Sequence, residues 1–203
     1  MVTPKKPTDR RVQRTRQLLR QAFFEVVQEK GFAATTVQDI TERANLNRGT
    51  FYTHFEDKYR FTDMVIRERF LQLLADILPP EPRWDRPTLR LLIQGVLVCF
   101  EGKYRHQHYP SHVLVEMGPL LERAIHEELT SLILTWLKQA EGDVMVGSVP
   151  PETMASVVSS AIFGAAVQWS REKTAVPLDQ MADDILHVIM DGVGWLTLAV
   201  LPE

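Results

Sequence analysis

The sequence predicts an all-α protein of about nine helices, with a small N-terminal three-helix unit followed by a larger helical body. Three observations carry this. Apolar residues recur at spacings of three and four along most of the 203 residues. No Asn-Gly or Asp-Gly turn stands between alternating strand-like runs, and no repeat is visible. Helix-capping residues, glycines and prolines punctuate the pattern at regular intervals.

The first helix is expected over about Asp9–Lys30, with an apolar stripe of Leu18, Leu19, Ala22, Phe23, Val26 and Val27 and a stop at Gly31. A short helix follows from Thr36 to Ala44. Thr36 and Asp39 stand three apart, the spacing of a capping box. Asn45 tolerates a left-handed turn, Leu46 pins that turn to the core, and Asn47 caps a third helix over Arg48–His54. Asp57 caps a long helix over Lys58–Leu78, which Pro79-Pro80 closes. Pro87 suits the first turn of a helix reaching Tyr104. The polar stretch at 106–112 breaks the pattern. A short helix over Ser111–Met117 and a longer one over Pro119–Ala140 are expected next, then a loop at 141–148. Pro150-Pro151 opens a helix to about Lys173, and Leu178–Leu201 forms the last. The division expected is 1–58 for the N-terminal unit and 59–203 for the remainder.

Charge divides the chain in a similar way. Residues 1–60 carry 12 Lys and Arg against 7 Asp and Glu, a balance of +5; the rest carries 11 against 19, a balance of −8. A basic head on an acidic body suits a polyanion at the head alone. Lys5, Lys6, Arg10, Arg11, Arg14, Arg16 and Arg20 are placed to follow a DNA backbone. The single Cys99 excludes an internal disulfide framework and a multi-cysteine metal site. No long apolar run and no apolar leader are present, so a cytoplasmic protein without a membrane association is expected. No phosphate-binding loop, nucleophile elbow, HExxH or dinucleotide fingerprint occurs, so an enzyme is not expected, nor any cofactor.

Two short helices joined by a tight turn and packed on a preceding helix read as a helix-turn-helix. Its second helix enters the DNA major groove, and here it would expose Arg48, Thr50, Thr53 and His54 while burying Phe51 and Phe55. Arg48 suits the guanine edge; Thr36, Tyr52 and Lys58 suit phosphates. The stretch TTVQDITERANLNRGTFYTHFEDKYRF (35–61) resembles the signature of TetR-family transcriptional regulators, through Thr36, Ile40, Ala44, Gly49, Thr50, Tyr52, His54, Phe55 and Lys58. Asn45 and Asn47 stand where that signature has Gly and Ser. The resemblance implies an all-α homodimer with an N-terminal DNA-binding domain and a C-terminal domain for ligand binding and dimerisation. It implies a repressor that binds a palindromic operator in double-stranded DNA and leaves it when a small-molecule effector binds. DNA contacts then fall on Thr36, Arg48, Gly49, Thr50, Tyr52, Thr53, His54 and Lys58. The competing reading is a helical small-molecule-binding or interaction protein that regulates no gene.

Three further groups stand out. Phe100, Tyr104, Met117, Trp136, Phe163 and Trp169 are large residues suited to line an apolar ligand cavity. His106, His108, His112 and Glu116 invite a metal, but Pro110 breaks their register, and no metal site is expected. The last two helices are apolar over much of their circumference. Ser156, Ser160 and Gly164 on one, and Ile185, Ile189, Gly192 and Leu196 on the other beside Gly194, Trp195 and Ala199, suggest a four-helix dimer interface.

Overall fold

The computed structural model describes residues 10–104, 111–140, 149–172 and 176–192, with side chains left out of the description at 102–104 and 111–115. Eight helices occur among the described residues: α1 Arg10–Lys30, α2 Val37–Arg43, α3 Arg48–Tyr52, α4 Lys58–Ile77, α5 Arg86–Tyr104, α6 Ser111–Ala140, α7 Pro151–Arg171 and α8 Leu178–Asp191. None of these is long and apolar enough to cross a membrane. The chain forms two compact units. One takes in residues 1–65 and 109–121, the other 66–108 and 122–203.

In the first unit, α1 buries Leu19, Ala22, Phe23, Val26 and Val27, as its stripe requires. Gly31 then turns the chain at φ 81°, a left-handed conformation that glycine adopts without strain. Phe61 of α4 lies among the rings of the head. Its centroid is 4.8 Å from Phe55, 5.4 Å from Phe51 and 5.5 Å from Phe23, all with edge-on geometry. Ile40 and Ala44 of α2 close this core, and Leu46, Met117 and Leu120 pack against it half-buried.

In the second unit, α5 is the buried helix. Leu89, Leu92, Ile93, Val96, Leu97 and Phe100 are all at most 1% exposed. α7 and α8 pack on it through Ala155, Ile162, Ala166, Ala182, Ile185 and Leu186. Along the rim of the α5–α8 pair, Arg86, Arg90 and Gln94 bond to Asp191, Asp183 and Asp179. The two sets run in opposite order, as an antiparallel pair demands.

The chain from 111 to 140 corrects the expected pair of helices: it is one helix that passes through Pro119. Proline disfavours a helix interior because it lacks the N–H, its ring meets the carbonyl four residues back, and it crowds the Cβ and N–H of the preceding residue. That residue is Gly118, which has no Cβ. Gly192 also needs another explanation. It is not a packed glycine inside a helix but the C-terminal cap of α8, at φ 71°. Ile185 is 7% exposed and belongs to the core of its own unit. The expected loop at 141–148, the basic residues Lys5 and Lys6, and Gly194, Trp195, Leu196 and Ala199 lie outside the described residues.

Candidate nucleic-acid interface

The recognition element is built from local chemistry. The Thr36 side chain accepts the Asp39 N–H at 3.2 Å, and Asp39 accepts the Thr36 N–H at 2.7 Å, so the capping box opens α2. The Thr36 hydroxyl also donates to Asp39. Lys30 pairs with the same carboxylate. With the Lys30 ammonium foremost and Thr36 next, the Asp39 carboxyl is lowered from 3.8 to about 2. Ala44 ends α2 and Asn45 turns the chain at φ 53°. The Leu46 N–H returns to the Thr41 carbonyl at 2.9 Å. Asn47 then caps α3, its side-chain oxygen accepting the Gly49 N–H at 2.8 Å.

α3 divides cleanly. Phe51 is fully buried, with Phe55 beyond the helix end at 9% exposure. Arg48, Gly49, Tyr52 and Thr53 face solvent, and Thr50 and His54 are half-buried. The Arg48 guanidinium stands 5.9 Å from the centroid of the Tyr52 ring and donates to its hydroxyl at 3.4 Å. Four residues apart on one helix, the two form a ready-set cationic edge. The Thr53 hydroxyl donates to the Gly49 carbonyl at 2.8 Å. A Cβ added at Gly49 would meet only Asn47 Oδ1, at 3.3 Å. Arg16 of α1 lies over the Phe55 ring at 6.0 Å.

Lys58, for which a phosphate contact is expected, turns its ammonium inward in this structure. Its Nζ donates to the carbonyls of Phe32, Ala33 and Thr35 at 2.8, 3.2 and 2.7 Å. An ammonium has three N–H donors, so these bonds use all of them. The group also lies 4.5 Å from the Phe32 ring centroid. Burial pushes its pKa below the usual lysine value, against the raising influence of Glu116 and Asp39. Lys58 therefore holds the chain just past the C-terminus of α1, where carbonyls favour a cation.

The expected ligand residues fall in both units. Met117 packs against the core of the first unit, while Phe100, Trp136, Phe163 and Trp169 belong to the second. Phe100, Trp136 and Trp169 are buried, and the Trp169 indole donates to the Val176 carbonyl at 2.8 Å. Phe163 is half-buried, edge-on to Phe100 at 5.6 Å and 4.8 Å from the His126 ring. The Tyr104 side chain lies outside the described residues, as do His106, His108 and the His112 side chain. Glu116, grouped with those histidines in the sequence, instead accepts the Ala33 N–H at 2.8 Å. No spacing signal marks that bond, because its partners stand 83 residues apart.

A family model for bacterial regulatory proteins of the tetR family matches residues 19–61, which run from α1 through the start of α4. The chain is 33% identical over 206 residues to the HTH-type transcriptional repressor KstR2 of Mycolicibacterium smegmatis, covering 94% of each. It is 26% identical over 183 residues to the HTH-type transcriptional repressor DhaR of a Mycobacterium species, covering 86% of this chain and 92% of DhaR. Its fold resembles that of the TetR-family repressor FadR of Thermus thermophilus, solved with lauroyl-CoA: 23% identity, 93% and 96% coverage, TM-score 0.51. Likeness to KstR2 along nearly the whole length, and a family match seated on the capped helices around Asn45, lead to one conclusion: the chain belongs to the tetR family of bacterial transcriptional regulators.

Proposed function

We propose that the protein is a cytoplasmic, dimeric repressor that reads a palindromic operator with α3 and releases it when a small-molecule effector binds. The observation that carries this reading is the exposed Arg48–Tyr52 pair on a helix whose start and entry turn are fixed by Asn47 and Asn45. Arg48 is the base reader, suited to guanine O6 and N7. Thr36, Thr50, Tyr52, Thr53 and His54 contribute backbone contacts, and Gly49 lets the DNA come close. Lys58 acts by holding the α1–α2 turn. The protein works as a regulator rather than a catalyst.

Dimerisation falls to α7 and α8. Val157 is 63% exposed, and Ser156, Ser160, Ala161 and Gly164 share the outward side of α7. A Cβ at Gly164 would meet nothing within 4 Å among the described residues, so none of them gives the glycine a packing reason. Val188 on α8 is 41% exposed. The effector site belongs to the second unit, beside Phe100, Phe163 and His126. FadR of Thermus thermophilus was solved with lauroyl-CoA, and a small molecule is likewise the effector proposed for this chain.

The test is selection of duplexes from a random-sequence pool by the purified protein, followed by titration at several salt concentrations. The expected result is one enriched palindrome, with affinity falling steeply as salt rises. A pool that emerges unenriched would contradict the reading.

A further inference from the structure

The turn between α1 and α2 sets where the helix-turn-helix begins, and most of its polar groups have partners. The Thr35 hydroxyl donates to the Gly31 carbonyl at 2.6 Å, and the Thr35 N–H to the Phe32 carbonyl at 3.2 Å. Lys58 takes the carbonyls of Phe32, Ala33 and Thr35. The Ala33 N–H goes to the Glu116 carboxylate of α6, in the same compact unit. Met117 and Leu120, beside Glu116 on that helix, pack against the core formed by Phe23, Ile40, Phe51 and Phe61. The Glu116 carboxylate therefore sits on an anchored backbone. It is also the foremost charge favouring the ammonium of Lys58, which burial disfavours. Two long-range side chains, one acidic and one basic, hold opposite polar groups of one short turn. Thr36, the cap of α2, follows that turn directly.

We propose that Glu116 is a positioning residue for DNA binding. By accepting the Ala33 N–H and balancing Lys58, it holds the α1–α2 turn in the one arrangement that presents α2 and α3 together. This inference rests on the DNA-binding reading above. Glu116 does not touch DNA; a carboxylate near phosphates would repel them. Its effect runs through the fraction of molecules whose turn is correctly set, and apparent affinity falls in proportion to that fraction.

Glu116→Gln keeps an oxygen that can accept the Ala33 N–H, whereas Glu116→Ala removes it. The probe is the duplex enriched from the random pool by wild-type protein. Glu116→Ala should bind it about tenfold more weakly, the scale of one lost hydrogen bond to a charged acceptor, while Glu116→Gln stays within about threefold of wild type. The salt slope should be the same in all three, because no phosphate contact is lost. Hydrogen exchange at the Ala33 amide should quicken in Glu116→Ala, with the thermal midpoint lowered by only about 2–4 °C. Equal affinity of wild type and Glu116→Ala would overturn the inference, as would tighter binding by both variants, which would mean that the charge merely repels DNA. A wild-type protein that enriches no duplex contradicts the DNA-binding reading and the inference with it. Wild-type binding that Glu116→Ala leaves intact contradicts the inference alone.

Discussion

Asp39 shows how much a single side chain does in the head. It closes the capping box with Thr36 and pairs with Lys30, and its carboxyl is lowered from 3.8 to about 2. A depressed carboxyl adds stability that is fully present above its unfolded value and is lost as pH falls through the folded one. Asp39→Asn should therefore melt below wild type at neutral pH. The gap should narrow below about pH 3.8 and close near pH 2, as followed by circular dichroism. A gap that stays constant across that range would mean that the ion pair contributes nothing. Gly49 separates folding from binding. Its Cβ position is open except for Asn47 Oδ1 at 3.3 Å. Gly49→Val should stay within about 1 kcal/mol of wild-type stability, since valine is slightly better in a helix than glycine and only Asn47 Oδ1 has to give way. It should nevertheless lose most affinity for the selected duplex. At this scale the sequence was legible wherever the chemistry is local. Asn45 and Asn47 declare a left-handed turn and a cap by their own side chains. The inward bonds of Lys58 were not legible, because a lysine at the start of a helix looks available to phosphate. Only the fold brings three carbonyls, from 23 to 26 residues earlier, to its ammonium.

Helices were legible where period and caps agree and were misread where one residue carries the signal. Pro119 argues for a break at that point, yet α6 runs from Ser111 to Ala140; Gly118 removes the crowding at the residue before proline, and Met117 and Leu120 anchor the helix on the core. Periodicity also identifies apolar residues without saying which helix they will meet. Met117 shares the character of Phe100 and Phe163 but packs in the other unit. The packing of α4 on α5 offers a direct test. A Cβ at Gly95 would stand 2.5 Å from Cδ2 of Leu74, itself only 2% exposed. Gly95→Ala should cost about 1–3 kcal/mol, the usual range for overpacking a filled site, despite the better helix propensity of alanine. Urea denaturation measures this, and a more stable variant would show that Leu74 moves aside freely.

For the whole molecule, the open side of α7 and the recognition helix must work together. A palindrome presents two half-sites about 34–36 Å apart, so two recognition helices at that spacing read it and one alone reads little. Gly164→Leu should leave the single chain folded, because nothing among the described residues lies within 4 Å of the new Cβ. It should shift sedimentation toward monomer and weaken binding to the palindrome. A variant that remains dimeric would move the interface elsewhere. Sequence alone pointed to this side through Ser156, Ser160 and Gly164, but it could not tell that Ile185 serves the chain's own core or that Gly192 is a cap. The central claim is that α3 reads DNA through Arg48. The most direct measurement is the affinity of wild type and Arg48→Ala for the selected duplex and for a scrambled one at matched salt. The account predicts that Arg48→Ala loses about 1–3 kcal/mol on the selected duplex, changes less on the scrambled one, and relaxes preference at one base-pair position. Identical affinities for wild type and Arg48→Ala on both duplexes would contradict it.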